Sequence, residues 1–320
     1  GAEAPSPSTE GKMTQYIIRR LLQAIIVVLG VTVAAFSINF LAGDPTYVLI
    51  GNMRGMTQED IQEFRHRMGF DRPVIVQYLD WLGKAVRGDF GTSMKFKQNN
   101  WQVIAERFPA TLQLAVSAML LGLIVSIPLG VVAAVNRGSF WDRASMVLAL
   151  IGQSTPSFWM GLMLMLLFAV TLGWLPVSGR YEGVRSMILP VMTLSFYDIA
   201  RNTRVIRGSM LEVLGEDYIR TARGKGAKPR TVLIVHALRN ALLPMVTLIG
   251  MDLGSLLGGA IVVETIFAWP GMGLLTVNAI NGKDLTLLQA CVTLFALIFV
   301  FANLLVDFAY TWLDPRVRLK

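Results

Sequence analysis

The sequence predicts an all-α integral membrane protein with six transmembrane helices. A helical insertion follows the first span on the outside, and a basic loop joins the fourth and fifth spans on the inside. Three observations point there. Of 320 residues, 54% are hydrophobic and only 16% charged, with a mean hydropathy of +0.55, too apolar for an ordinary soluble domain. Charge-free runs recur at the length of about 20 residues that a bilayer requires of a helix. Lys and Arg crowd the segments that belong on the cytoplasmic side.

Taken in order, the leader Gly1 to Lys12 is rich in Pro and Ser and reads as a tag remnant ahead of a start at Met13. The first span lies in residues 13–41, on the charge-free run Leu21 to Gly43. It is too long for a removable signal peptide and lacks a small-residue cleavage site. Residues 42–107 carry nine basic and eight acidic residues, a mixed composition expected of a folded subdomain outside the membrane. Within it, Thr57-Gln-Glu-Asp60 resembles a capping box and predicts a helix to about Met68, with Gly69 as its stop. Pro73 opens a second helix, where Val74, Tyr78, Trp81, Leu82 and Ala85 share an apolar face. Packing and ligand contact both fit that face.

The core, residues 108–312, supplies five spans. Phe108 to Asn136 is free of charge, and so is Ala144 to Gly179, read as one helix to about Leu172 and a loop through Gly173-Trp-Leu-Pro176. Ser186 to Ala200 is too short alone and extends through Arg201, Arg204 and Arg207. Asn240 to Val263 contains one charge, Asp252, and Leu285 to Val306 is the last span. Pro128 and Pro156 sit inside spans, where each removes a backbone hydrogen bond and predicts a kink. Residues 313–320 form a tail. With both termini inside, seventeen of the 29 basic residues fall on the cytoplasmic side.

The net charge of +8 belongs to residues flanking spans, which points to lipid headgroups and a partner protein, with no nucleic acid. Cys291 is the lone cysteine, so no intramolecular disulfide forms, and thiolate metal ligation is not expected. Met160, Met163 and Met165 beside Trp159 read as packing, since no clustered His accompanies them, and no metal site is predicted. No repeat of 20 to 50 residues is visible, against the inverted-repeat architecture of many secondary transporters.

Ionisable groups inside a span need a reason. Asp198 lies three residues before Arg201, the spacing of an internal ion pair. Asp252 is deepest and has no basic residue at helical spacing, so Asp252 and Ser255 are the candidate pathway residues, with Gly259 on the same face. Glu264 and Asp307 lie near span ends, within reach of water. Gly250, Gly254 and Gly258 form a stripe for close helix approach, within the chain or between subunits. After Glu264, the turn Trp269-Pro270-Gly271 precedes a short surface helix and reads either as an outer gate or as an interfacial anchor.

The basic loop, at about 211–239, places Leu211, Leu214, Tyr218 and Ala222 on one stripe, with Arg220, Arg223 and Lys225 around it. Gly226 permits a sharp break and Pro229 suits the first turn of a second helix, so two short helices joined at an angle are expected. This loop resembles the coupling segment of binding-protein-dependent ABC importer permeases, Glu-Ala-Ala, three residues, then Gly. Ala222 and Gly226 match it, while Arg220 and Thr221 replace Glu and Ala and Arg239 stands where the broader pattern ends in Pro. In these departures it is similar to the dipeptide and oligopeptide branch, in Tyr218, Arg220, Thr221, Ala222, Lys225, Gly226, His236, Arg239, Asn240 and Pro244. Arg19-Arg20, Gly43-Asp44-Pro45, Gly88-Asp-Phe-Gly91, Trp269-Pro-Gly271 and Asp314-Pro315 extend the likeness from Met13 to the C-terminus. The large outer segment after the first span is similar to that of the first of two paired permeases.

The resemblance implies an ATP-driven importer subunit of a bacterial or archaeal inner membrane, carrying short peptides or related small solutes. Similar permeases handle glutathione, nickel chelates, haem or sugars. It implies a docking surface for two cytoplasmic ATPase subunits at Gly215, Glu216, Asp217, Tyr218, Arg220, Thr221, Ala222, Arg223, Lys225, Gly226 and Lys228. It also implies a second permease subunit, an external substrate-binding protein, and a structural role for His236. No catalytic residue and no cofactor are expected in this chain, ATP and Mg being bound by the partners. Gly224-Lys-Gly226 lacks the spacing and the hydroxyl residue of a phosphate loop. Two other readings stand: an ion-coupled secondary transporter using Asp252, and a scaffold that docks cytoplasmic proteins without transport.

Overall fold

The computed structural model describes residues 8–41, 57–69 and 71–313, and no strand occurs among them beyond one isolated bridge between Thr92 and Asn99. The Gly43-Asp44-Pro45 and Asp314-Pro315 motifs lie outside the described residues. In chain order the helices are α1 Ser8–Leu41, α2 Gln58–Met68, α3 Val74–Val86, α4 Asn100–Val135, α5 Phe140–Ser154 and α6 Ser157–Leu164, which widens into a π-helical stretch, Met165–Thr171. Then come α7 Val184–Leu214, α8 Asp217–Gly224 and α9 Pro229–Thr231, a second π-helical stretch at Val232–Leu238, and α10 Arg239–Ala241. The last are α11 Leu243–Ile266, α12 Met272–Asn281 and α13 Leu285–Leu313.

Several starts and stops differ from expectation. α1 begins at Ser8, so the end of the leader is helical. α4 begins at Asn100, eight residues before the charge-free run, because Glu106 and Arg107 within its first turns interrupt that run while Val103 and Ile104 are already buried. It continues through Pro128 to Val135 without a break. At Pro156 the expected single span instead divides into α5 and α6, bent by 107°. Pro156 has no N–H to continue the helix, and Thr155 before it is extended (φ −87°, ψ 123°). Among the described residues four helices are long and apolar enough to cross a membrane, or five if the bent pair is one span. Length and apolarity alone do not confirm the expected count of six, since α7 is diluted by Arg185, Asp198, Arg201, Arg204, Arg207 and Glu212.

The chain divides into two compact units. One holds residues 1–109, 275–304 and 313–320. In it the capping box at α2 forms as expected: the Thr57 side chain accepts from the Asp60 N–H, and the Asp60 carboxylate accepts from the Thr57 N–H at 2.8 Å. That backbone donor, then the Thr57 hydroxyl, hold the Asp60 carboxyl below the usual carboxylate range. Gly69 ends the helix in the left-handed region at φ 72°. α3 lies against α1, where Tyr78 and Thr32 share a 2.9 Å hydrogen bond between hydroxyls and Phe36 meets Tyr78 edge-on at 5.5 Å. Tyr78, Trp81, Leu82 and Ala85 are half-buried there, whereas Val74 is exposed. Buried Asp284 organises the segment after α3, accepting from the Ser93 hydroxyl at 2.5 Å and the Lys95 N–H at 3.1 Å while it caps α13 through the Leu287 N–H.

The other unit, residues 110–274 and 305–312, is built around α7. Small residues set the approach of its neighbours. A Cβ placed on Gly152 of α5 falls 2.6 Å from the Ala200 Cβ of α7, and one on Gly130 of α4 falls 2.7 Å from the Ile206 Cβ. Gly152→Ala is expected to overpack the α5–α7 seam by about 1–3 kcal/mol. It should lower the unfolding temperature of the purified protein, and Ala200→Gly in the same chain should recover most of the loss. Equal stability of Gly152→Ala and wild type would contradict the seam.

Candidate functional site

The basic loop is a built structure. α7 ends at Leu214, Gly215 breaks the helix, and extended Glu216 starts α8 anew. α8 stops in a Schellman arrangement: Gly226 adopts φ 79°, its N–H donates to the Arg223 carbonyl at 3.0 Å, and the Ala227 N–H donates to the Ala222 carbonyl at 3.2 Å. Lys228 then flanks Pro229 at the first position of α9. Two short helices meet at a glycine bend, as the sequence led one to expect.

The face of α8 differs from the expected stripe. Restarting the helix at Glu216 shifts its phase, so Tyr218 is exposed and Ile219 is fully buried instead. Ile219 enters a core of Ala134, Ile206, Met210, Val232, Ala237, Ala241 and Met245, with Leu211, Leu214 and Ala222 packed against it. Burial of such a side chain is worth about 1.5–3 kcal/mol. The Tyr218 hydroxyl accepts from Asn240 at 2.8 Å, tying α8 to α10, and the His236 carbonyl accepts from the same amide at 3.0 Å. Gly215, Glu216, Asp217, Arg220, Thr221, Arg223, Lys225, Gly226 and Lys228 all face outward, with Ala222 half-buried. The Arg220–Asp217 pair, 3.4 Å apart and exposed, adds little stability.

Asp252 is not the lone carboxylate its own helix suggested. Arg201 of α7 donates to it directly, while Asp198 stands 3.7 Å from the same guanidinium. Both carboxylates are buried. The basic partner comes from another helix, which spacing along α11 does not reveal, and Asp252 faces protein. The side chains of Ser255 and Asp307 lie outside the described residues, as does the surface of Gly259. On the glycine stripe, Gly250 and Gly254 are buried and Gly258 is exposed.

Glu264 and Trp269 also depart from expectation. Neither reaches water, and both are fully buried. Glu264 Oε1 accepts from the Thr111 hydroxyl at 2.6 Å, and Oε2 accepts from the N–H groups of Gly273 at 2.7 Å and Leu274 at 3.1 Å, at the start of α12. Thr111 in turn accepts from the Met272 N–H at 2.8 Å. The Trp269 indole N–H donates to the Ala110 carbonyl at 3.0 Å, and the Arg180 guanidinium lies 5.4 Å above its ring. A Cβ on Gly271 would run into the Glu264 carboxylate. Pro270 and Gly271 thus form a turn wrapped tightly around one acid, and the interfacial-anchor reading of Trp269 gives way to a buried lock. This lock and the basic loop lie at opposite ends of the unit. The segment before α7 meets the end of α11 through a 2.8 Å bond from the Gly179 N–H to the Phe267 carbonyl, and α7, of 31 residues, spans about 46 Å from there to the loop.

Comparison with known proteins agrees with this architecture. Residues 126–319 match the family described as "Binding-protein-dependent transport system inner membrane component", and residues 13–115 match "Binding-prot-dependent transport system membrane comp, N-term". The dipeptide transport system permease protein DppB of Escherichia coli (strain K12) is 41% identical, over 96% of this chain and all of that relative. The di/tripeptide transport system permease protein DppB of Pseudomonas aeruginosa (strain UCBPP-PA14) is 40% identical, over 96% of this chain and 99% of that relative. A chain from a solved structure of the MetNI methionine ABC transporter in inward facing conformations superposes with a TM-score of 0.56 at 18% identity, over 67% of this chain and 97% of that one. That last likeness concerns the fold. The chain belongs to the family of binding-protein-dependent transport system inner membrane components, as a multi-pass permease subunit.

Proposed function

We propose that this permease imports short peptides or related small solutes, delivered by an external binding protein and driven by ATP hydrolysed in partner subunits. Its relatives at 40–41% identity are named for dipeptide and di/tripeptide transport, which supports the cargo class. The observation that carries the mechanical part is α8: a short helix with outward polar residues, held to the membrane-embedded core by Ile219. Asp217, Arg220, Thr221, Arg223, Lys225 and Lys228 form the face offered to two cytoplasmic ATPase subunits, which bind ATP and Mg. The chain itself carries no phosphate-binding loop and no cofactor in this reading. A second permease subunit completes the pathway, both termini face the cytoplasm, and the Trp269-Pro270-Gly271 turn forms the outer gate, closed by Glu264. A gradient-coupled role for Asp252 has no support from its ion-paired, buried position.

Purification from the native membrane in mild detergent tests this reading: a second permease and one or two ATPases should accompany the chain, and a homo-oligomer without ATPase would refute it. Gly226→Val should abolish ATPase copurification while membrane insertion persists. No atom lies within 4 Å of an added Cβ there, so the penalty is the left-handed backbone itself, about 1–2 kcal/mol. Gly226→Asn, which tolerates that conformation better, should retain more of the complex. Normal assembly and transport by Gly226→Val would remove the bend from the docking role.

A further inference from the structure

We propose that Asp142 and Arg207 are a positioning pair that makes α5 move with α7, so that motion of the docking loop reaches the bent α5–α6 segment; this rests on the docking role proposed for α8. The guanidinium of Arg207 grips Asp142 with two bonds, Nε to Oδ1 at 2.5 Å and Nη2 to Oδ2 at 2.9 Å. Two parallel bonds fix orientation as well as distance, which a single point charge does not. Asp142 is buried and is itself anchored, since it accepts from the Gly138 N–H at 2.8 Å while Ser139 caps the helix that carries it.

The position of the pair gives it a task. Ile206, next to Arg207 on α7, shares the core that receives Ile219 of α8. A push on α8 therefore acts on α7 at the turn that holds Asp142. Two turns and more along the same seam, Gly152 of α5 presses against Ala200 of α7. That second point stops the two helices pivoting about the first. α5 is thus held to α7 at both ends, and it ends at Ser154, just before Pro156, where the chain turns by 107°. Displacement of the loop arrives at that corner as movement of one body.

The test uses the whole transporter, with the chain co-expressed with its second permease and ATPase subunits and reconstituted in liposomes. ATP hydrolysis is measured with and without loaded binding protein, together with solute imported per ATP. Asp142→Asn and Arg207→Gln should assemble, yet import about 5- to 10-fold less solute per ATP. Arg207→Lys, which keeps the charge without the fork, should fall between them and wild type and serves if the other variants fail to assemble. The exchange Asp142→Arg with Arg207→Asp should recover at least about half of the coupling. Wild-type coupling in the single variants overturns the proposal. So does a loss confined to assembly, with assembled complexes coupling normally, or a loss that the exchange leaves unrepaired. A wild-type chain that brings down no ATPase refutes the docking role itself and is seen before any variant is made.

Discussion

Glu264→Ala is expected to be among the most damaging single substitutions in the chain. It leaves the Thr111 hydroxyl and the N–H groups of Gly273 and Leu274 without the acceptor they share. Each buried group deprived of its partner costs about 1–3 kcal/mol, so the loss should reach several kcal/mol, a large part of the stability of an ordinary domain. Glu264→Gln keeps the shape and one acceptor oxygen while turning an NH₂ group toward donors, and should be intermediate. Thermal unfolding in detergent, followed by helicity, would rank the three proteins. Wild-type stability of Glu264→Ala would mean that water reaches these donors and that the lock is not closed.

Arg201→Met is the second. It removes the guanidinium that stands between Asp198 and Asp252, both buried. Removing one partner of a buried ion pair typically costs about 3–5 kcal/mol, whereas replacing the whole group with uncharged residues is often nearly neutral. The triple variant Asp198→Asn, Arg201→Met, Asp252→Asn should therefore be more stable than Arg201→Met alone. The yield of monodisperse protein and its unfolding temperature report both effects. An order of stability in which the triple variant is worst would show that the charges contribute more than their mutual neutralisation.

The contrast between these sites and the legible parts of the sequence follows from range. The capping box at Thr57 and Asp60, the stop at Gly69 and the bend at Gly226 before Pro229 are decided by residues within a few positions of one another, and their residue types suffice to predict them. The acceptor for Thr111 stands 153 positions away, and the partner of Asp252 stands 51 positions away. Nothing local announces either. Ile219 was missed for a different reason: the helical phase was carried across Gly215, where the backbone resets it. α7 is recognisable as a span only by extending its apolar run through arginines, because Arg201 and Arg207, paired with carboxylates on other helices, still count as charges in one dimension. Pro156 was seen, but a residue type that disrupts a helix does not state the angle that results. For the basic loop, position and bend are readable from the chain, and the side that faces the core is not.

The burial of Trp269 gives the chain an optical reporter of its own. Its indole is sealed from solvent, hydrogen-bonded at the nitrogen and roofed by Arg180, whereas Trp101, Trp141, Trp159 and Trp174 are largely exposed. With phenylalanine in place of the other tryptophans, emission from this single ring would be short in wavelength and shielded from a water-soluble quencher while the turn is closed. Opening of the turn during a transport cycle, which the proposed gate requires, would register as a red shift and a gain in quenching, in real time and without an attached dye. A constant signal through the cycle would count against the gate.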